Sequence, residues 1–243
     1  MADRVALVTG ASRGLGRDIA LRLGRDGFAT VLNYREQAKA ADEVARTIAA
    51  DGGRAIAVRA DVAEPAGAQA LFDAAERVFG GVDVLVNNAG LSILAPLAEM
   101  DDLVFDQHFA VNVRGVFNML KRAATRLRPG GRVVNLSSTA VAGNRSGYGA
   151  YVASKAAVEA LTRTFANELR GRSITVNAVA PGLVGAGMFL ATRSAEQLAA
   201  MAQISPLERL ADPAEIAGVV AFLVGSDGGW VNGQILRANG GAA

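Results

Sequence analysis

The chain has 243 residues, a formal charge of +2, no cysteine and one histidine, His108. That composition excludes disulfides, thiolate chemistry, zinc–thiolate sites and multi-histidine metal centres, and it gives no bulk electrostatic drive toward nucleic acid. No apolar run reaches the roughly 20 residues of a membrane helix, and Met1–Arg4 lead straight into Val5-Ala6-Leu7-Val8 with no room for a signal segment, so the expectation is a cytoplasmic protein with no membrane partner.

The length suits one domain, 1–243. In chain order, apolar runs predict strands at Val5–Thr9, Thr30–Asn33, Ala55–Arg59, Val84–Asn87, Arg132–Leu136, Thr175–Ala180 and Gln234–Ala238. Several are nearly continuous in Val, Ile and Leu, as in strands buried on both faces. Helical patterns fill the gaps: Leu15–Arg25, Gln37–Asp51, Ala66–Phe79, Phe105–Leu127, Tyr151–Leu169 and Pro213–Val224, the last entered through an Asp212-Pro213 cap. Strand alternating with helix predicts an α/β protein: a doubly wound, seven-stranded parallel sheet with helices on both faces. A closed eight-stranded barrel fits less well, because seven strands are counted and the first loop is rich in glycine.

That loop, Thr9-Gly10-Ala11-Ser12-Arg13-Gly14-Leu15-Gly16, joins the first strand to the first helix. Glycines there allow a tight turn and close approach to a pyrophosphate, and the helix N-terminus offers free N–H groups to it. The spacing T-G-x-x-x-G-x-G resembles the short-chain dehydrogenase/reductase family. The resemblance covers almost the whole chain: Asn87-Asn88-Ala89-Gly90 ends the fourth strand, Asn112 follows in the next helix, Ser138 ends the fifth strand, Tyr151-x-x-x-Lys155 opens a helix, and Pro181-Gly182 ends the sixth strand. Members of this kind often resemble 3-oxoacyl-carrier-protein reductases. The resemblance implies a single-domain Rossmann fold. Its cofactor half is about 1–135 and its catalytic and substrate half about 136–243, with a lid at about 185–206.

The second strand ends Leu32-Asn33-Tyr34-Arg35. An acidic residue near this point would bind a ribose 2′-hydroxyl. Asn33 is neutral, and Arg35 with Arg13 forms a pair of guanidiniums suited to a 2′-phosphate. NADP(H) is therefore the expected cofactor, with NAD(H) second. Asp61-Val62 resembles the family's adenine contact, and Asn88, Ala89 and Gly90 are read as support beside the adenosine.

Hydride transfer to a carbonyl requires a proton at oxygen. Tyr151 and Lys155, at i and i+4, share a helix face, and a neighbouring ammonium lowers a phenol pKa. The family mechanism implies that Tyr151 is the acid–base and Lys155 lowers its pKa and binds the nicotinamide ribose. It further implies that Ser138 binds the substrate oxygen and Asn112 holds a water linking Lys155 to solvent. Many members have threonine four residues after the P-G glycine. Here Ala186 stands there, leaving the backbone of Val184 for the carboxamide.

Gly185 and Gly187 are expected hinges of the lid. Ser92, Ile93, Leu94, Val141, Asn144, Tyr148, Gly182, Met188 and Phe189 are candidate pocket residues, fitting an apolar ketone, aldehyde or secondary alcohol. Arg126, Arg128 and Arg172 are candidate docking residues for a carrier-protein-linked substrate, with unspecific surface charge the plainer reading. His108, with no evident acid–base partner in the sequence, is read as structural or surface. The resemblance implies a homotetramer. Two rival readings stand beside a carbonyl reductase: an alcohol or sugar dehydrogenase working oxidatively, and a cofactor-sensing protein without turnover.

Overall fold

A computed structural model describes residues 4–143, 145–185 and 194–243. Seven strands form one sheet: β1 (Val5–Val8), β2 (Ala29–Tyr34), β3 (Ala55–Arg59), β4 (Val82–Asn87), β5 (Leu127–Leu136), β6 (Thr175–Pro181) and β7 (Ile235–Ala238). Their spatial order is β3-β2-β1-β4-β5-β6-β7, and every neighbouring pair is parallel. The order reverses between β1 and β4, so the loops leaving those two strands splay apart and open a crevice at the C-terminal edge.

Side-chain alternation along the strands divides the core. Val5 and Leu7 point to one face with Leu85 and Val133, where they meet Leu71 and Phe72 of α3 (Pro65–Phe79), Met119 of α5 (Gly115–Arg126) and Val158 and Phe165 of α7 (Gly149–Glu168). Ala6 and Val8 point to the other with Val84, Val86 and Val134, against Ile19 and Leu23 of α1 (Gly14–Arg25), Val44 and Ile48 of α2 (Ala38–Ala50) and Ile216 and Leu223 of the last helix, Pro213–Val224. Each such buried aliphatic or aromatic side chain contributes about 1.5–3 kcal/mol.

The long helix expected from Phe105 is interrupted. It begins as α4 (Asp102–His108), entered through Asp101, whose Oδ1 accepts the N–H groups of Leu103 and Val104. It widens into a π-helical turn over Phe109–Arg114 and continues as α5. Such turns are frequent at functional sites, and this one carries Asn112. A short helix, α6, spans Ala140–Gly143. The stretch expected to break the strand–helix rhythm holds another, α8 (Ala195–Ala202), entered by a capping box of Ser194 and Gln197.

The last helix, α9 (Pro213–Val224), keeps its expected bounds. Asp212 accepts the Ala214 N–H, Glu215 accepts the Asp212 N–H, and Pro213 occupies the first turn, where a missing N–H costs nothing. Asp212→Ala removes half of this box. The expected loss is about 1 kcal/mol, read as a fall of about 2–4 °C in melting temperature. No helix among the described residues is long and apolar enough to cross a membrane.

Candidate active site

The glycine loop is cut to fit a backbone ligand. Gly10 and Gly14 have φ of +64° and +55°, left-handed values that favour glycine. A Cβ at Gly14 would meet nothing within 4 Å, so the backbone there is open. A Cβ at Gly16 would lie 2.3 Å from Asn88 Nδ2 and 2.4 Å from the Gly10 carbonyl, so helix and loop pack closely only without a side chain. Arg13 stands at the N-cap of α1 and makes no side-chain cap bond, which leaves the first helical N–H groups facing outward. Ser12 is half-buried and Arg13 exposed.

Three side chains hold this loop. Asn88 donates from Nδ2 to the carbonyls of Thr9 and Gly10 at 2.9 and 3.2 Å. Thr9 Oγ1 accepts the N–H groups of Asn88 and Ala89, both at 3.0 Å. Thr9 was not singled out from sequence, although it opens the motif. Asn33 differs from expectation. It is buried; its Oδ1 accepts the Gly10 N–H at 3.1 Å, and its Nδ2 donates to the carbonyls of Tyr34 and Ala60 at 3.3 and 2.9 Å. Both ends of its amide are spent inside the protein, so it braces the loop rather than facing a ribose. Tyr34 is the last residue of β2 and Arg35 the first beyond it. Arg35 is exposed, pairs with Glu36 at 2.5 Å and lies 3.8 Å from Asp61. Asp61 Oδ1 accepts the Ala63 N–H, and Asn118 Nδ2 donates to the carbonyls of Val62 and Ala63, fixing that turn.

The crevice is a cavity of about 270 Å³. Leu15 and Asn88 line its glycine-loop side, Gly90, Leu91 and Ser92 one wall, and Leu136, Ser137 and Ser138 the end of β5. Tyr151 and Lys155 come from α7, and Pro181 and Gly182 from the end of β6. The predicted chemical residues therefore meet in one place. Lys155 is buried, and its Nζ donates to the Leu136 carbonyl at 2.7 Å. A Cβ at Gly90 would sit 3.1 Å from Asn112 Oδ1 and 3.5 Å from Lys155 Nζ, which places this glycine directly over both side chains. Asn112 is fully buried; it exchanges hydrogen bonds with both backbone groups of Leu91 and donates to Ser154 Oγ.

The electrostatics also differ from expectation. Burial pushes the Tyr151 phenol above its ordinary value, opposed by the hydrogen bond from Ser138. Burial pushes Lys155 down to about 8. Lys155 Nζ lies 6.0 Å from the Tyr151 ring centre and is committed to a backbone carbonyl, so desolvation outweighs the ammonium's pull on the phenol.

The remaining candidates are placed as follows. Val184 bridges to Ala211, and the Gly182 N–H donates to the Ala238 carbonyl, which fixes the chain after β6. Val141 lies in α6, Tyr148 precedes α7, and Leu94 is exposed. Asn144, Ala186, Gly187, Met188 and Phe189 lie outside the described residues, as does part of the expected lid. The docking arginines sit at the wrong edge. Arg126 ends α5 and Arg128 stands near the N-terminal start of β5, at the opposite end of the strand from the site. Arg126 is paired with Asp73 and Glu76, Arg128 with Asp83, and Arg172 donates to the carbonyls of Ala124 and Leu127.

Residues 10–243 match the family model described as Enoyl-(Acyl carrier protein) reductase. A short-chain type dehydrogenase/reductase of Picea abies is 47% identical over 251 residues, covering 99% of this chain and 93% of the relative. An Arabidopsis thaliana protein named NADPH-dependent aldehyde reductase-like, chloroplastic, is 42% identical, covering 99% and 94%. The crystal structure of a short chain dehydrogenase from Burkholderia cenocepacia in complex with NADP superposes with a TM-score of 0.93 at 38% identity, covering 98% and 97%. With the sheet order, the glycine cradle and the Tyr-x-x-x-Lys helix all in place, the chain belongs to the short-chain dehydrogenase/reductase family of oxidoreductases.

Proposed function

We propose that this protein is an NADPH-dependent carbonyl reductase acting on a small apolar aldehyde or ketone. The observation that carries the reading is the convergence of the Ser138 and Tyr151 hydroxyls on one cavity, with Lys155 behind them and the glycine cradle beside them. The cradle fits a dinucleotide, because the open backbone at Gly14 and the uncapped start of α1 supply N–H donors for a pyrophosphate. The NADP-bound Burkholderia structure and the NADPH-dependent Arabidopsis relative support the phosphorylated form. Gly10, Gly14, Gly16, Asn88 and Gly90 would hold it, with the backbone of Pro181, Gly182 and Val184 at the nicotinamide end. When bound, the cofactor supplies the hydride.

The residues do the rest. Ser138 Oγ hydrogen-bonds the carbonyl oxygen and orients it toward Tyr151. Tyr151 gives its phenolic proton to that oxygen as charge develops there. The phenol can give that proton, and the relative named an NADPH-dependent aldehyde reductase supports reduction over the oxidative alcohol or sugar dehydrogenase reading. Lys155, lowered to about 8 by burial, stands behind the phenol with its Nζ 6.0 Å from the Tyr151 ring centre. Asn112 keeps the Leu91 wall and Ser154 in place. Substrates carried on an acidic protein are not favoured, because Arg126, Arg128 and Arg172 face away and are paired. A homotetramer remains part of the proposal, supported by the exposed Leu103, Phe105 and Phe117 along α4–α5. The sequence expectation for compartment is cytoplasmic, whereas the Arabidopsis relative is named chloroplastic.

The test is NADPH oxidation with a small aryl ketone, a simple aldehyde and an acetoacetyl thioester at equal concentration. Turnover of the ketone or aldehyde is the expected result. Tight NADPH binding with no turnover of any of them would favour the cofactor-sensing alternative. Arg35→Ala is expected to raise the KM for NADPH about tenfold and to leave that for NADH unchanged, since only the former has a 2′-phosphate to pair. Equal effects on both cofactors would remove Arg35 from the 2′ site.

A further inference from the structure

His108 is fully buried, and both ring nitrogens are engaged by backbone. Nε2 lies 3.1 Å from the Ile93 nitrogen and Nδ1 lies 2.8 Å from the Val104 carbonyl. An amide N–H only donates and a carbonyl only accepts, so the ring that satisfies both carries its proton on Nδ1 and offers a lone pair from Nε2. The same ring stands edge-on to Tyr151, with centroids 6.5 Å apart.

Ile93 belongs to the segment that forms one wall of the active-site cavity. Leu91 and Ser92 line that cavity directly. Burial does little to hold the segment, because Ile93 and Leu94 are 45% and 42% exposed. Three backbone attachments hold it instead, at alternate residues. Asn112 binds Leu91, His108 binds Ile93, and the Gly147 carbonyl accepts the Ala95 N–H at 3.0 Å. His108 is the middle one, and it alone of the three also touches the ring of the proposed proton donor.

We propose that His108 is a positioning residue for the carbonyl substrate. By holding the Ile93 amide it fixes the pocket wall against the Tyr151 side. It thereby sets the KM for the substrate and the discrimination between compact and bulky carbonyls. The inference rests on the carbonyl-reductase reading of the same site.

Two variants separate the two bonds of the ring. In His108→Gln the side-chain oxygen reaches the position of Nε2 and keeps an acceptor for Ile93. In His108→Asn the amide nitrogen stands near Nδ1, so the Val104 bond is kept and the Ile93 acceptor is lost. Steady-state kinetics at saturating NADPH with a compact aldehyde and a bulky aryl ketone, and hydrogen exchange across 91–95, are measured for both. His108→Asn is expected to raise the carbonyl KM about tenfold with kcat within about threefold, and to narrow the preference between the two substrates. It is also expected to speed exchange at Ile93, while His108→Gln stays within about twofold of the parent in each respect. Identical kinetics and exchange in the two variants would overturn the proposal. So would a fall in kcat and melting temperature common to both, which marks a role in folding alone. Absence of carbonyl turnover in the parent protein would reject the functional reading instead, and exchange at Ile93 would then decide the attachment by itself.

Discussion

Tyr151→Phe should lower kcat about a thousandfold while NADPH binds with unchanged affinity. The change removes one oxygen from a half-buried side chain whose ring keeps its neighbours, Lys155 Nζ at 6.0 Å and the His108 ring at 6.5 Å, so the pocket keeps its shape. What is lost is the proton for the developing alkoxide. Ser138 keeps its hydroxyl, but its reference acidity is too weak to substitute. The measurement is kcat alongside a fluorescence titration of NADPH into the variant. Turnover within tenfold of the parent would show that the proton comes from elsewhere, and a collapse of NADPH binding would show that the tyrosine acts through the cofactor.

Lys155→Met should abolish turnover and raise thermal stability at pH 7. Burial depresses the ammonium from 10.5 to about 8, so the folded protein resists the charge that the unfolded chain carries freely. Below pH 8 both states hold the proton, and the cost of burying it is present in full, about 3 kcal/mol. Between pH 8 and 10.5 the unfolded chain binds a proton that the folded chain lacks, so stability rises with pH through that window. Above it the cost is gone. Methionine keeps much of the side-chain length without the charge. It forfeits the hydrogen bond to the Leu136 carbonyl, about 1 kcal/mol. The net gain at pH 7 is about 2 kcal/mol, or roughly 4–8 °C for a chain of this size. Melting curves at pH 7 and pH 10.5 should show the variant ahead at the first and level or behind at the second. A variant less stable at pH 7 would mean that the lysine's contacts outweigh its desolvation. A variant ahead at pH 7 would show that the buried lysine costs the fold stability, as the proposed role at the site requires.

The inner strands were legible because β1, β4 and β6 are short apolar runs buried on two faces, and the glycine loop because its fit depends on the side chains it lacks. The face on which a polar residue points was not legible. Asn33 occupies a strand end where an acidic residue would read a ribose, yet its amide turns inward to Gly10 and Ala60. The docking arginines were misplaced although the sequence held the correcting signal: a helix that precedes a parallel strand delivers the chain to that strand's N-terminal edge, away from the crevice. The π turn around Asn112 leaves no composition signal, since Phe109–Arg114 continues an ordinary helical pattern. The capping box of Ser194 and Gln197 did stand in the sequence, and it marks α8 inside a stretch otherwise taken as lid. The depressed lysine and raised tyrosine were unreadable, because desolvation depends on how tightly α7 seats against β5.

The strand order also sets when the site can exist. After the single reversal between β1 and β4, each newly made strand joins the one made just before it, from β4 through β5 and β6 to β7. During synthesis the sheet therefore grows from one edge. The glycine cradle, braced by Thr9, Asn33 and Asn88, can close once residue 89 has emerged, whereas Tyr151 and Lys155 follow more than sixty residues later. Gly182 is tied to Ala238 only when the final strand docks. A nascent chain can thus close the glycine cradle long before the helix carrying Tyr151 and Lys155 is there to dock beside it.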